Sequence, residues 1–235
     1  MILKNKKIQI LNWGIQKYNS AWDKQEHLLQ SIIDIKKSNR SNKKIIKTPN
    51  YLIFLEHHPV YSIGKSGDKE NLLIDRSILK LKGIEYVKSN RGGDITFHGP
   101  GQLIIYPIID LDNFFTDIHK YLRKIEDVII CTLNDFGIKG QRSKGETGVW
   151  LDVNKPNARK ICAIGIRASR WVTMHGFALN INTDLSYFEK IIPCGIHNKG
   201  VTSMQKELGK KISIKEIQSK IKIYFEKEFD ATLIN

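Results

Sequence analysis

Cysteine is scarce in this 235-residue sequence, and long apolar runs are missing from it. The three cysteines are an odd number, which argues against a disulfide framework and for free thiols in a reducing compartment. No apolar stretch approaches the roughly eighteen residues that a membrane span needs, and residues 1–7 lack the apolar core of a secretory signal. We therefore expect a cytoplasmic protein with no membrane partner, in which a cysteine is available as a nucleophile.

Residue patterns that hold metal ions are missing as well. The sequence contains no CxxC and no HExxH motif, which are spacings typical of zinc sites. His57 and His58 are adjacent, but in an extended segment their side chains point in opposite directions, so joint ligation of one ion is unfavourable. We expect no metal site.

Acidic residues are few relative to basic ones. The sequence has 24 Asp and Glu against 38 Lys and Arg, a formal net charge of +14 at pH 7, which alone would suggest nucleic acid, an anionic surface or an acidic partner. Lysine, isoleucine and asparagine are abundant together along the whole chain, so codon usage explains much of this charge. A basic RNA-binding module is one alternative, but no RNP, KH or helix-turn-helix pattern supports it. We expect no nucleic-acid partner.

The apolar residues that are present predict one domain over residues 1–235. A hydrophobic content of 41% is normal for a globular chain that buries a sizeable core. Strands dominate the middle and helices occur without regular βαβ alternation, which favours the α+β class with a central mixed sheet. The predicted strands cover about 8–13, 51–55, 84–87, 103–109, 159–168 and 171–182, the predicted helices about 16–37, 116–136 and 213–229, and a basic loop about 36–48.

The most informative stretch is RGGDITFHGPGQ at residues 91–102, which holds four glycines, a cation, an imidazole and an amide. Glycine permits a positive φ or a close approach of the backbone to a ligand, so Gly92 and Gly93 after Arg91 predict a turn that cradles a substrate. A hairpin with merely solvated polar side chains is the alternative. His98 can either polarise a substrate carbonyl or lock the loop by hydrogen bonding, and the residues alone leave both roles open.

Continued through Leu103, Tyr106 and Pro107, this stretch resembles the signature of the lipoyl(octanoyl) transferases, the octanoyl-acyl-carrier-protein:protein transferases of lipoate biosynthesis. The resemblance spans roughly residues 8 to 205, and the order and spacing of its blocks are specific. Further blocks stand at residues 55–62 (LEHHPVYS), 148–150 (GVW), 159–165 (RKICAIG), 175–180 (HGFALN) and 192–196 (IPCGI).

The resemblance implies the fold of biotin and lipoate ligases, a central mixed sheet with helices packed on it. It also implies that Cys194 carries the acyl group and that Lys160 is its catalytic partner. The residues implied to bind substrate are Arg91, Gly92, Gly93, Asp94, Ile95, Thr96, Phe97, His98, Ala163, Ile164, Gly165, Gly176, Phe177 and Ala178.

The reaction that the resemblance implies has two steps. Cys194 attacks the thioester of octanoyl-acyl carrier protein, and the ε-amine of a lysine on a lipoyl domain then attacks the acyl-cysteine. The implied acceptors are lipoyl domains of 2-oxoacid dehydrogenases and the glycine cleavage H protein. Carrier proteins and lipoyl domains are typically acidic, which suits a basic enzyme. Because a thioester is more reactive than the amide formed, no nucleotide or other cofactor is required.

A cysteine reacts as its thiolate, and an ordinary pKa near 8.5 leaves only about 3% thiolate at pH 7. A nearby ammonium stabilises the thiolate, but nucleophilicity falls with basicity and cancels much of that gain. The larger value of Lys160 must therefore lie in giving a proton to the departing thiol and later taking one from the attacking amine, a role typically worth about 10² to 10⁴-fold.

Two other cysteines and one other enzyme class compete with this hypothesis. Cys131 falls inside a predicted amphipathic helix, where a buried structural thiol is expected. Cys162 shares a strand face with Lys160, at a position where the family usually has a small apolar residue. We favour Cys194 because Pro193 and Gly195 predict a turn that exposes its sulfur.

An ATP-dependent lipoate or biotin ligase is the rival enzyme, but it needs no cysteine–lysine pair, and the Gly-Arg-Gly loop of biotin ligases is missing.

Overall fold

The computed structural model describes residues 4–41, 45–192 and 199–235. Its strands are β1 (Lys7–Gln16), β2 (Tyr51–His57), β3 (Val60–Ile63), β4 (Glu85–Lys88), β5 (Ile95–His98), β6 (Gln102–Ile108), β7 (Gln141–Ser143), β8 (Glu146–Leu151), β9 (Arg159–Ser169), β10 (Val172–Asn180), β11 (Gly200–Val201) and β12 (Thr232–Ile234). Its α-helices are α1 (Tyr18–Ser41), α2 (Arg76–Leu81), α3 (Ile118–Asn134), α4 (Met204–Leu208) and α5 (Ile214–Phe229). Within these ranges, no helix is both long enough and apolar enough to cross a membrane.

A large mixed sheet forms the centre of the molecule. Its strand order is β12-β1-β2-β6-β10-β9-β8-β7, with β11 paired to β9. The pairs β12–β1, β1–β2 and β11–β9 are parallel, whereas the pairs from β2 to β7 are antiparallel. A smaller sheet has the order β4-β3-β5. The α+β class with a central mixed sheet is therefore confirmed.

Helices cover both faces of the large sheet because its central strands carry apolar residues at successive positions. In β2, Leu52 and Phe54 face the core that contains α3 and α5. Ile53 and Leu55 face the opposite core, which contains α1. Side chains alternate between the two faces of a strand, so one apolar run supplies both cores.

Two of the long helices, α3 and α5, begin at side-chain caps that the sequence provides. Asp117 accepts a hydrogen bond from the backbone N–H of Lys120 (2.9 Å) at the start of α3. Ser213 does the same for the N–H of Glu216 (3.4 Å) at the start of α5, where Ser213 and Glu216 have the spacing of a capping box. The apolar stripe of α5, Ile217, Ile221 and Phe225, is fully buried.

The basic loop predicted over about 36–48 is wrong for its first residues, because α1 continues to Ser41. The reason is a long-range ion pair. Lys36 pairs with Asp110, which is only 3% exposed. The Nζ of Lys36 also lies 2.8 Å from the carboxylate of Asp112. This pairing fixes the end of the helix against the sheet, although the local sequence is polar. The strands predicted over about 159–168 and 171–182 are present as the antiparallel pair β9 and β10, which a turn at Arg170 and Trp171 connects, with φ of +50° and +64°.

Candidate active site

A cavity of about 550 Å³ opens where β9 and β10 meet the turn before β5. We call it the central cavity. Its volume lies in the range typical of small-molecule sites. The sequence-predicted residues that line it are Arg91, Gly92, Gly93, Asp94, Ile95, Thr96, His98, Lys160, Ala163, Ile164, Gly165, Gly176, Phe177 and Ala178. Residues that are far apart in the sequence thus line one cavity.

Phe97 does not line the central cavity. Strand alternation turns its ring away from its neighbours Thr96 and His98, into the small core of the second sheet. There the ring stacks on Tyr187, with centroids 4.2 Å apart, and contacts Tyr61. The ring of Phe97, a residue predicted to bind substrate, therefore lies in the core of the smaller sheet, where it anchors β5.

Arg91 holds the turn at residues 91–94 in shape. The side chain is only 7% exposed. Its Nη2 donates to the carbonyl oxygens of Ser62 (2.6 Å) and Asp94 (2.7 Å), and its Nη1 donates to that of Gly92 (3.0 Å). These bonds use the fixed fork of the guanidinium, which a lysine ammonium does not match. The turn thus has a built-in cation that binds backbone rather than solvent.

Two glycines allow the backbone around the cavity to pack closely. A Cβ added to Gly165 would lie 2.9 Å from the carbonyl oxygen of Gly92. One added to Gly176 would lie 2.1 Å from the carbonyl oxygen of Ile105. Both distances are shorter than real Cβ contacts allow. These glycines therefore permit neighbouring backbone to approach. Because they have no side chains, they also leave space in the central cavity.

His98 is locked by a buried hydrogen-bond chain. Its Nδ1 donates to Oε1 of Gln102 (2.7 Å), and Nε2 of Gln102 donates to Oδ1 of Asn180 (2.8 Å). Burial, aided by the charges of His57 and Arg91, holds the pKa of His98 well below its ordinary value. A neutral ring that donates from Nδ1 has only an acceptor at Nε2. This geometry favours the loop-locking role over polarisation of a carbonyl.

His57 and its neighbour differ sharply in environment. Nδ1 of His57 donates to the carbonyl oxygen of Gln16 (3.0 Å), and its Nε2 accepts from the hydroxyl of Tyr106 (2.7 Å). Burial lowers the pKa of His57 to about 4. His58 is exposed, as strand alternation requires.

His175 also lines the central cavity and was not predicted as a site residue. Its φ is +57°, which is uncommon for a residue other than glycine. Its Nε2 donates to Oδ1 of Asn90 (2.6 Å), while its buried Nδ1 has no partner among the described residues. Burial, aided by Arg91 and Arg167, lowers the pKa of His175 to about 3. Its position at the head of the block at residues 175–180 was the signal that would have pointed to it.

Lys160 lies at the edge of the central cavity beside an aromatic ring. Its Nζ is 4.5 Å from the ring centroid of Trp150, and the Nζ of Lys199 is 4.9 Å from the same centroid. Lys199 also pairs with Glu146, at 2.5 Å. Burial raises the pKa of Glu146, but hydrogen bonds from Lys199 and Ser143 outweigh it and leave that pKa below its ordinary value. The site thus holds two ammonium groups around one indole.

The two cysteines that the structure describes, Cys162 and Cys131, lie in different environments. Cys162 is 0% exposed and belongs to the main core. Burial raises the pKa of its thiol, and the opposing charge of Lys160 does not compensate. Cys131 is half-buried, and burial together with Glu228 raises its pKa as well. Cys194 lies outside the described residues. A raised pKa disfavours the thiolate, so neither described cysteine has the environment of a nucleophile.

Comparisons with known proteins agree with this architecture. The family described as lipoyl protein ligase A/B catalytic domain matches residues 17–226. An octanoyltransferase of Christiangramia forsetii is 57% identical over 97% of this chain and 98% of its own length, and one of Cytophaga hutchinsonii is 52% identical over 91% and 89%. The chain therefore belongs to the lipoyl protein ligase A/B catalytic-domain family.

Solved structures of similar fold are lipoate ligases. The bipartite lipoate protein ligase from Thermoplasma acidophilum superposes with a TM-score of 0.67 at 18% identity, over 98% of this chain and 88% of that one. A lipoate-protein ligase A bound with ATP gives a TM-score of 0.65 at 17% identity, over 99% and 90%. At these identities the likeness establishes the fold: this chain has that of the lipoate ligases.

Proposed function

We propose that this protein transfers an octanoyl group from an acyl carrier protein to lysine side chains of lipoyl domains, through a thioester on Cys194. The protein acts as an acyltransferase that carries octanoyl groups in lipoate biosynthesis, as relatives named octanoyltransferase at 52–57% identity indicate. We propose the donor, the covalent intermediate and the roles of individual residues in addition to this activity.

The single observation that carries the proposal is the position of Lys160. Its side chain lines the central cavity, and its backbone carbonyl accepts from the N–H of Thr202 (2.9 Å). Its register partner Val201 stands seven residues after Cys194 in the sequence. Seven residues span at most about 24 Å, so the chain length permits the sulfur of Cys194 to meet the amine of Lys160.

In the first step, the thiolate of Cys194 forms a bond to the thioester carbonyl carbon, and the bond from that carbon to the carrier's sulfur breaks. The carrier leaves as a thiol after Lys160 gives up a proton to it. In the second step, the ε-amine of the acceptor lysine bonds to the same carbon, its proton passes to Lys160, and Cys194 leaves as a thiolate. Each step ends with the protonation state that the next one needs.

The central cavity has the size and lining to take the alkyl chain. Burying about seven methylene and methyl groups contributes at most about 5–6 kcal/mol, at about 0.8 kcal/mol each. Two carbons more or fewer change binding by about 1.6 kcal/mol, roughly fifteenfold. We therefore expect a preference for eight carbons rather than an absolute requirement.

The acceptors and the cellular compartment follow from the same hypothesis. A solved neighbour is a lipoate ligase described together with its E2 lipoyl domain, which supports lipoyl domains as acceptors here, those of 2-oxoacid dehydrogenases and the glycine cleavage H protein included. We infer a cytoplasmic location, in one catalytic domain over residues 1–235, because a thiol nucleophile needs a reducing compartment. We also infer that neither a metal nor another cofactor takes part.

Octanoyl-acyl carrier protein and an apo lipoyl domain, incubated with the protein with and without ATP, test the proposal. We expect octanoylation of the lipoyl lysine at the same rate in both samples. Transfer that requires ATP, or that occurs only from free octanoate, would instead assign the protein to the ligase reaction. No transfer from the carrier under either condition would reject the proposed donor.

A further inference from the structure

A second cavity, of about 350 Å³, lies on the smaller sheet, and four of the residues that line it are cationic. We call it the basic cavity. Within the described part of the chain, no acidic residue lines it, and none of its four cations lies within ion-pair distance of a carboxylate. Its lining residues are Ile63, Gly64, Lys65, Gly67, Lys69, Arg76, Tyr86 and Lys88.

One of the cations is held in place by an aromatic ring. The guanidinium carbon of Arg76 lies 4.2 Å from the ring centroid of Tyr86. Stacking on a ring face orients a guanidinium while leaving its N–H donors at the edge for another partner. Lys88 follows on the same strand, two residues after Tyr86, so both side chains face the same side of β4. The fold thus concentrates unpaired charge at one place.

The basic cavity adjoins the central cavity through a shared wall. The N–H of Lys65 donates to the carbonyl oxygen of Arg91 (2.9 Å), and that of Gly64 donates to the carbonyl oxygen of Asp94 (3.3 Å). A Cβ on Gly64 would lie 2.1 Å from the carbonyl oxygen of Gly93. The loop that bears Lys65 is therefore packed on the turn that lines the central cavity.

Exposed apolar side chains lie on the short helix that supplies Arg76. Ile78 and Leu81 of α2 are 41% and 87% exposed, whereas Leu79 is buried. A binding site for a small anion would need only the cations and not these exposed aliphatic side chains. Exposed apolar side chains mark surfaces that bind other proteins, and nearby cations attract an acidic partner to such a surface.

We propose that the basic cavity and the exposed face of α2 dock the acyl carrier protein that donates the octanoyl group. This inference rests on the proposed function. The positive charge of the basic cavity complements an acidic carrier and speeds the encounter of the two proteins. The carrier's long prosthetic arm allows it to dock beside the central cavity while the thioester reaches in. A lysine side chain reaches only about 6 Å, so the lipoyl domain must bind at the mouth of the central cavity itself.

The double variant Lys69→Glu with Lys88→Glu tests the docking surface. Lys211→Glu with Lys215→Glu is the matched control, since it makes the same change of charge at exposed positions beside and on α5. Each protein is assayed with octanoyl-acyl carrier protein and with octanoyl-pantetheine, which has neither the carrier nor its phosphate. We expect the KM for octanoyl-acyl carrier protein to rise about tenfold at low ionic strength, with kcat unchanged. We expect no change with octanoyl-pantetheine or in the KM for the lipoyl domain.

Several results would overturn the docking surface. An unchanged KM for the carrier, an equal rise in the control pair, or a rise in the KM for the lipoyl domain would each do so. An equal rise with octanoyl-phosphopantetheine would assign the cavity to the phosphate, and a loss with octanoyl-pantetheine would show damage to the central cavity. A wild-type protein that transfers from neither donor would reject the proposed function instead.

Discussion

Val201 pairs with Lys160 in parallel register at the edge of the large sheet. The short strand β11, which follows the segment containing Cys194, is thereby hydrogen-bonded to the strand that carries the proposed acid–base residue. This pairing joins two parts of the sequence that no local pattern connects. It also gives Lys160 a fixed backbone, since both of its strand neighbours, β8 and β11, are paired at this position.

Replacing Lys160 with methionine should lower kcat by about 10² to 10⁴-fold, because the side chain keeps its length but neither donates nor accepts a proton. Steady-state octanoyl transfer measures the loss. The exposed Lys211→Met serves as the control and should retain wild-type kcat. A Lys160→Met protein that folds and transfers at the wild-type rate would remove the lysine from the mechanism.

Adding one methyl group at Gly176 should destabilise the fold. The Cβ would lie 2.1 Å from a backbone oxygen in β6, so one strand must shift. We expect a loss of about 2–3 kcal/mol, which lowers Tm by roughly 5–10 °C in a chain of this size. In Gly200→Ala the new Cβ has its nearest contact at 3.6 Å, and Tm should stay within about 2 °C of wild type. Equal Tm values for the two variants would contradict the close approach at Gly176.

Acid should destabilise the protein through its buried histidines. His57 and His175 stay neutral in the folded state down to a pKa of about 4 and about 3, whereas unfolded histidines take up protons below about 6.5. The unfolded state therefore binds more protons in this window, and the free energy of unfolding falls as pH falls. The two residues together should account for roughly 3 kcal/mol between pH 6.5 and pH 5.

Urea unfolding at pH 6.5 and pH 5 measures this loss. His57→Gln should reduce the pH dependence by about half of that amount. The exposed neighbour variant His58→Asn should keep the wild-type dependence. If both variants and the wild type show the same slope, the buried histidines are not its source.

The sequence predicted the parts of this structure that depend on local pattern. Helix α5 is an example, because Ser213 caps it and its apolar stripe recurs every three or four residues. The turn at Arg91 is another, since Gly92 and Gly93 permit backbone conformations that other residues avoid, and Gly93 has a φ of +83°. The family pattern also indicated which residues meet at the central cavity, with Phe97 as the exception.

Long-range contacts explain what the sequence did not predict. The last residues of α1 look like a loop, and only Asp110, far along the chain, supplies the partner that orders Lys36. Phe97 lies in a motif that is predicted to bind substrate, yet its ring packs in the core against Tyr187 and Tyr61. His175 has a φ of +57° although it lies inside β10. None of these features has a local signature.

We propose that Cys194 carries the acyl group, and intact-mass spectrometry after incubation with octanoyl-acyl carrier protein, without acceptor, tests this most directly. We predict one added octanoyl group, mapped by peptide digestion to Cys194, in the wild type and in Cys162→Ala. The Cys194→Ala protein should gain none. Absence of the adduct in the wild type, or an adduct on Cys162 or Cys131, would contradict the account.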